Sequence, residues 1–129
     1  MEFSPIHFSD KVHLTGYGPG GFQLSGEERI AGSLMLLPQG LERWAATAAG
    51  EMSFEDAQKV LDQRSGFDIL LIGTGAAIAP LPKPVREFFQ AEELFYDLMD
   101  TGAACRTFNV LLAEERRVAV LLIALPEAA

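Results

Sequence analysis

Apolar residues fall along this chain in short blocks, and the period of the blocks changes about a third of the way in. The first part reads as strands punctuated by glycine. His7-Phe8 and Val12-His13-Leu14 flank a Ser9-Asp10-Lys11 turn. The run Gly16-Tyr17-Gly18-Pro19-Gly20-Gly21 calls for a sharp turn or unusual backbone angles. Phe22–Leu24 and Arg29–Leu37 flank Ser25-Gly26-Glu27-Glu28, which reads as a hairpin loop. Ile30–Leu37 is apolar on both alternating faces apart from Gly32 and Ser33, as expected of one strand inside a sheet, and Pro38-Gln39-Gly40 ends it. Leu41-Glu42-Arg43-Trp44 reads as loop.

From Ser53 the period becomes helical. Glu55 and Asp56 stand in the first turn, where acids suit the helix dipole, and Phe54, Ala57, Val60 and Leu61 form one apolar face. Phe67–Ile72 is a short apolar run fit for a buried strand, ended by Gly73-Thr74-Gly75. Pro82–Ala91 predicts a second helix, with Pro84 in its first turn and Val85, Phe88 and Phe89 inward. Glu93–Met99 predicts a strand. Asp100 or Thr101 caps a third helix whose stripe is Ala104, Phe108, Leu111 and Leu112, and Arg117–Leu125 predicts a central last strand. Strands alternating with helices favour a sheet covered on its faces, and the antiparallel look of the early strands makes that sheet mixed. The class is α/β, in one domain spanning residues 1–129.

Composition narrows the function classes. Ten Lys and Arg against eighteen Asp and Glu leave a net charge of −8, which disfavours phosphate backbones and anionic membrane surfaces. The adjacent Arg116 and Arg117 follow Glu114 and Glu115 and read as a solvated turn. One cysteine, Cys105, rules out an intramolecular disulfide and a cysteine-built zinc site. Met1–Pro5 has neither the basic start nor the apolar core of a signal peptide, and Val118–Leu125 is too short to span a bilayer. A cytoplasmic protein without membrane insertion, without nucleic acid and without a cofactor is expected.

Two segments could carry chemistry. Gly73-Thr74-Gly75 follows a strand, where backbone amides can cradle an anion. It is not a GxGxxG fingerprint, since Ile78 fills the last position, and no Gly-Lys-Ser/Thr follows it; a tight strand exit accounts for the same residues. Within Met99–Asn109, Asp100, Thr101, Arg106 and Asn109 supply polar groups. Asp100 is better read as a helix cap than as a general base. Arg106 and Asn109 share a helix face and either fix a loop or line a cleft. Cys105, near a helix start and beside Arg106, has no adjacent base and reads as a buried thiol packed with Ala103 and Ala104. His7, Asp10 and His13 would have to converge to hold a metal, and no other ligand cluster supports them, so none is assigned. Trp44 is a packing anchor or an interface contact. No catalytic residue can be assembled from these pieces.

Gly16-Tyr17-Gly18, Gly32-Ser33, Pro38, Trp44, Leu71–Gly75 and above all Met99–Leu111 resemble the adipogenesis-associated Mth-type domain family, which includes the mitochondrial complex I assembly factor 3. The likeness runs along nearly the whole chain. Phe108 stands where many relatives have tyrosine, and Glu115 where many have glycine. The start of the chain, close to the domain and without an Arg-rich presequence, looks like a bacterial-type member. The resemblance implies a three-layer fold, with a mixed central sheet, helices on its faces and a small additional N-terminal β element. It implies no catalytic mechanism. It favours a non-enzymatic, assembly-factor-like domain with a protein partner; the alternative is a small-molecule-binding protein or enzyme. That alternative would place its cleft outside the strand ends, between Gly73, Thr74 and Gly75 on one side and Asp100, Thr101, Arg106 and Asn109 on the other.

Overall fold

Apolar blocks without alternation become strands covered on both faces, and those with helical spacing become the layers that cover them. The computed structural model describes residues 13–25 and 29–126. The first strands form a small antiparallel sheet: β1 (Leu14–Gly18), β2 (Gly21–Leu24) and β3 (Ile30–Ala31), in that order. The main sheet holds β4 (Ser33–Leu37), β5 (Gly40–Trp44), β6 (Ile69–Gly73), β7 (Asp97–Met99) and β8 (Val118–Leu122), ordered β5-β4-β8-β6-β7. It is mixed: β4 runs antiparallel to β5 and β8, while β6 runs parallel to β8 and β7.

The pleat sends alternate residues of the central strands to two cores. Met35, Leu37, Leu70, Ile72, Ala119 and Leu121 face α1 (Phe54–Asp62) and α2 (Lys83–Ala91). Leu34, Leu36, Leu71, Val118, Val120 and Leu122 face α3 (Thr101–Ala113) and the small sheet, through Leu14, Phe22 and Leu24. This is a three-layer α/β domain with an additional β element, as the sequence leads one to expect. Its helix starts are built as the sequence implies. Ser53 and Asp56 form a reciprocal capping box on α1, and the Asp100 carboxylate accepts from the Ala103 amide at 2.9 Å to cap α3.

Four elements differ from expectation. Ile30–Leu37 is not one strand: Gly32 takes φ +90°, a left-handed corner that hands the chain from the small sheet to the main one. Trp44 is not in a loop but ends the edge strand β5, and its indole N–H donates to the Leu122 carbonyl at 3.3 Å. Only Asp97–Met99 of the expected strand Glu93–Met99 forms, because α2 ends in a left-handed turn at Glu93 (φ 56°). There the Glu93 and Leu94 amides donate back to the Gln90 and Phe89 carbonyls. Phe54 does not enter the core; it is 53% exposed and lies against Phe88, with ring centroids 4.7 Å apart. The glycine run 16–21 is a β1–β2 hairpin turning at Pro19 and Gly20. The expected strand at His7-Phe8 lies outside the described residues.

Candidate functional site

The parallel strands β6 and β7 end side by side, so the Gly73–Gly75 turn and the start of α3 meet at the same edge of the sheet. Gly73 has no side chain for a reason of packing. A Cβ there would stand 2.9 Å from Thr101 Cα and from the Ala104 methyl, so its absence lets α3 lie close on β6. Gly75 takes φ +102°, the strand exit that favours glycine.

The polar groups of this junction are engaged with one another. The Thr101 amide donates to the Gly75 carbonyl at 2.8 Å, and the Gly75 amide donates to the Thr101 hydroxyl at 2.8 Å. That hydroxyl donates in turn to the Ile123 carbonyl at 2.6 Å, and the Thr101 side chain is fully buried. The Thr74 hydroxyl accepts from the Ala79 amide at 3.0 Å and donates to the Ala77 carbonyl at 2.7 Å, folding the 74–79 loop on itself. Among the described residues no buried side-chain nitrogen or oxygen lacks a partner.

Further along α3 the same pattern holds. Asn109 reads Leu14 as a neighbouring strand would: its side-chain oxygen accepts from the Leu14 amide at 2.9 Å, and its amide donates to the Leu14 carbonyl at 2.6 Å. Arg106 donates to the Tyr17 hydroxyl at 2.9 Å. Of the two roles open to this pair, fixing a neighbouring segment is the one visible: together they pin β1 to α3. Tyr17, itself partly exposed, lies over Gly102, where a Cβ would come within 2.5 Å of its hydroxyl. It belongs with the candidate site residues although the sequence reading did not select it. Its one signal was a tyrosine set between Gly16 and Gly18.

Cys105 is buried in the core on the inner face of α3. Burial pushes its thiol up to about 12, a rise that the adjacent Arg106 charge offsets only in part and Asp100 reinforces. A thiol held neutral is a poor nucleophile. Among the described residues no group of three or more His, Cys, Asp or Glu side chains is placed to hold a metal ion. The His7-Asp10-His13 set depends on His7 and Asp10, which lie outside the described residues. No helix of the described residues is long and apolar enough to cross a membrane.

The structure thus defines a class: a three-layer α/β domain with a mixed sheet, a small β sheet clamped to its third helix, and a strand-end junction closed by its own hydrogen bonds. The family model described as "Protein of unknown function (DUF498/DUF598)" matches residues 14–123, and the chain belongs to this family. An uncharacterised protein of Rhodobacter capsulatus is 33% identical over 121 residues, covering 94% of this chain and 91% of that protein. NADH dehydrogenase [ubiquinone] 1 alpha subcomplex assembly factor 3 of Drosophila melanogaster is 30% identical over 112 residues, covering 85% of this chain. The chain spans 57% of that assembly factor's length. A crystal structure from Bartonella henselae, described as an outer membrane protein, superposes with a TM-score of 0.79 at 38% identity, covering 88% of this chain and 95% of its own. The Mth-type likeness read from the sequence, with its assembly-factor member, is borne out.

Proposed function

We propose that this chain works through contact with a protein partner, as an assembly-factor-like domain, rather than by transforming a small molecule. One observation carries this reading. The groups that would have lined a ligand cleft, Thr74, Gly75, Thr101 and Asn109, already spend their hydrogen bonds on the fold, and Asp100 spends its carboxylate on the cap of α3. A ligand entering there would have to replace bonds that hold α3 to β1, β6 and the segment after β8, at about 0.5–1.5 kcal/mol net for each. Relatives named as complex I assembly factors agree with the reading. We place the domain in the cytoplasm, in keeping with its acidic surface and single cysteine.

The alternative keeps one foothold. Arg106 and Tyr17 are exposed at the α3 end of the junction and could turn from each other to an anionic small molecule. Equilibrium dialysis of the protein against a metabolite extract of its native organism separates the two readings. We expect no metabolite to be retained in an Arg106-dependent manner. A compound held in stoichiometric amount by the wild type and released by Arg106→Ala, with an unchanged melting curve, would sink the interaction reading.

A further inference from the structure

We propose that the proline-rich segment 78–84, between β6 and α2, is a preformed recognition element: an aromatic-lined groove of the protein partner takes Pro80, and a carboxylate at the end of that groove takes Lys83. The proposal rests on the interaction reading above and gives it a surface and a partner chemistry.

Covalent geometry sets the backbone of this segment. Prolines stand at positions 80, 82 and 84. The ring fixes φ at Pro80 and Pro82, and each of these prolines keeps the residue before it, Ala79 or Leu81, out of the helical region. Pro82 stands at φ −56° and ψ 144°, a polyproline II conformation. Such a chain turns once in three residues, and burial follows that period. Ala79 is half-buried, Pro80 exposed and Leu81 buried; Pro82 is again half-buried, and Lys83, which opens α2, is again exposed. Pro80 and Lys83 therefore share the outward edge.

The segment is fastened on both sides. The Leu81 side chain lies in the core with Val85 and Phe89, and its carbonyl accepts from Arg86 Nε at 3.1 Å. At the other end the Thr74 hydroxyl bonds the Ala77 carbonyl and the Ala79 amide. Ile78, between those two bonds, is held outward and is 67% exposed. A segment that is already rigid loses little freedom on binding. Pro82 and Pro84 also serve the start of α2, as its cap and within its first turn. Pro80 precedes that start by two residues and turns its ring to water.

Backbone and charge select the occupant. Pro80 and Pro82 have no amide hydrogen, so the segment cannot join a sheet edge by a full ladder. An exposed proline in polyproline II conformation is instead read by aromatic rings that form a slot around it. The sign of the neighbouring charge is set by Lys83. Arg86 and Glu87 follow it on α2 with opposite signs. α2 has no acid in its first turn and opens on this lysine, against the helix dipole, whereas α1 opens with Glu55 and Asp56. The positive end of α2 thus adds to the Lys83 charge, and an Asp or Glu of the partner complements both.

The test places the photoreactive residue p-benzoylphenylalanine at Ile78 of the whole chain in its native organism and maps the adducts formed on irradiation by mass spectrometry. The expected result is one partner protein, joined through a stretch that carries Trp, Tyr or Phe beside Asp or Glu. Its yield should fall at least tenfold in Pro80→Ala and in Lys83→Glu. Both positions are exposed, so a melting curve matching the wild type separates lost docking from lost folding. Absence of adducts, adducts with a second copy of this chain, adducts on a strand edge or a basic surface, or a yield unchanged in either variant would each overturn the proposal. A partner captured from the same photoreactive residue at Val110, on the exposed side of α3, and not from Ile78 overturns this segment and leaves the interaction reading standing. An Arg106-dependent metabolite removes the interaction reading itself.

Discussion

Asn109 is the side chain through which α3 holds the first strand, and its loss should be felt well beyond its size. Asn109→Ala leaves both the amide and the carbonyl of Leu14 without their partner in a half-buried place. A cost of about 1–3 kcal/mol in urea denaturation is expected. Asn109→Asp should do no better, because a carboxylate sets a second acceptor against the Leu14 carbonyl. Glu93 makes the opposite case. It occupies a left-handed position where a side chain is strained, so Glu93→Gly should raise stability by about 0.5–1 kcal/mol. Glu115, at φ 61°, ends α3 in the same manner, in a backbone conformation that favours glycine. Cys105 should label far more slowly with a thiol reagent than a free peptide does, reaching that speed only on unfolding. Its thiol titrates near 9.0 when unfolded and near 12 in the fold. Above about pH 9 the unfolded chain therefore holds fewer protons than the folded one, and stability falls as pH rises, by at most about 1.4 kcal/mol per pH unit. Comparing alkaline melts of the wild type and Cys105→Ala isolates that contribution.

At the scale of elements, Gly73 sets how closely α3 lies on β6. Gly73→Val would drive a branched side chain into Thr101 and Ala104, and a loss of about 1–3 kcal/mol is expected, with α3 exchanging its amide protons faster than β8. Leu121 lies fully buried in the central strand between α1 and α2, and Leu121→Asp should abolish the cooperative melt, since a carboxylate there has neither water nor partner. A melting curve that barely moves would contradict the central place of β8. These strands were legible because continuous apolar blocks such as 69–72 and 118–125 have few other places to go. The edges were not. β5 buries Leu41 alone among its five residues, so its pattern is too weak to announce a strand. The break at Gly32 was written in the sequence as a lone glycine, but which sheet each half joins depends on pairing, with the nearby β2 for one half and with β8, far along the chain, for the other. The stretch after α2 lacked the glycine that usually marks a left-handed helix end, and so read as strand too early.

For the molecule as a whole, the candidate site was legible in its members more than in its meaning. Asp100, Thr101, Thr74 and Gly75 were chosen as polar groups near strand ends, and they do meet there. Sequence spacing has no way to tell whether such groups face an opening or each other, because that depends on how closely α3 approaches β6, which is set by Gly73 and Ala104 across the fold. Tyr17 was missed for a related reason: it acquires its partner from a helix some ninety residues later. The claim that the domain acts by protein contact is tested most directly by native mass spectrometry of the chain purified from its own organism at physiological salt, wild type beside Arg106→Ala. The prediction is a discrete complex with a protein partner, at fixed stoichiometry, for the wild type and for the Arg106→Ala variant alike. A wild-type chain that flies alone with a small molecule attached, lost in Arg106→Ala, would contradict it.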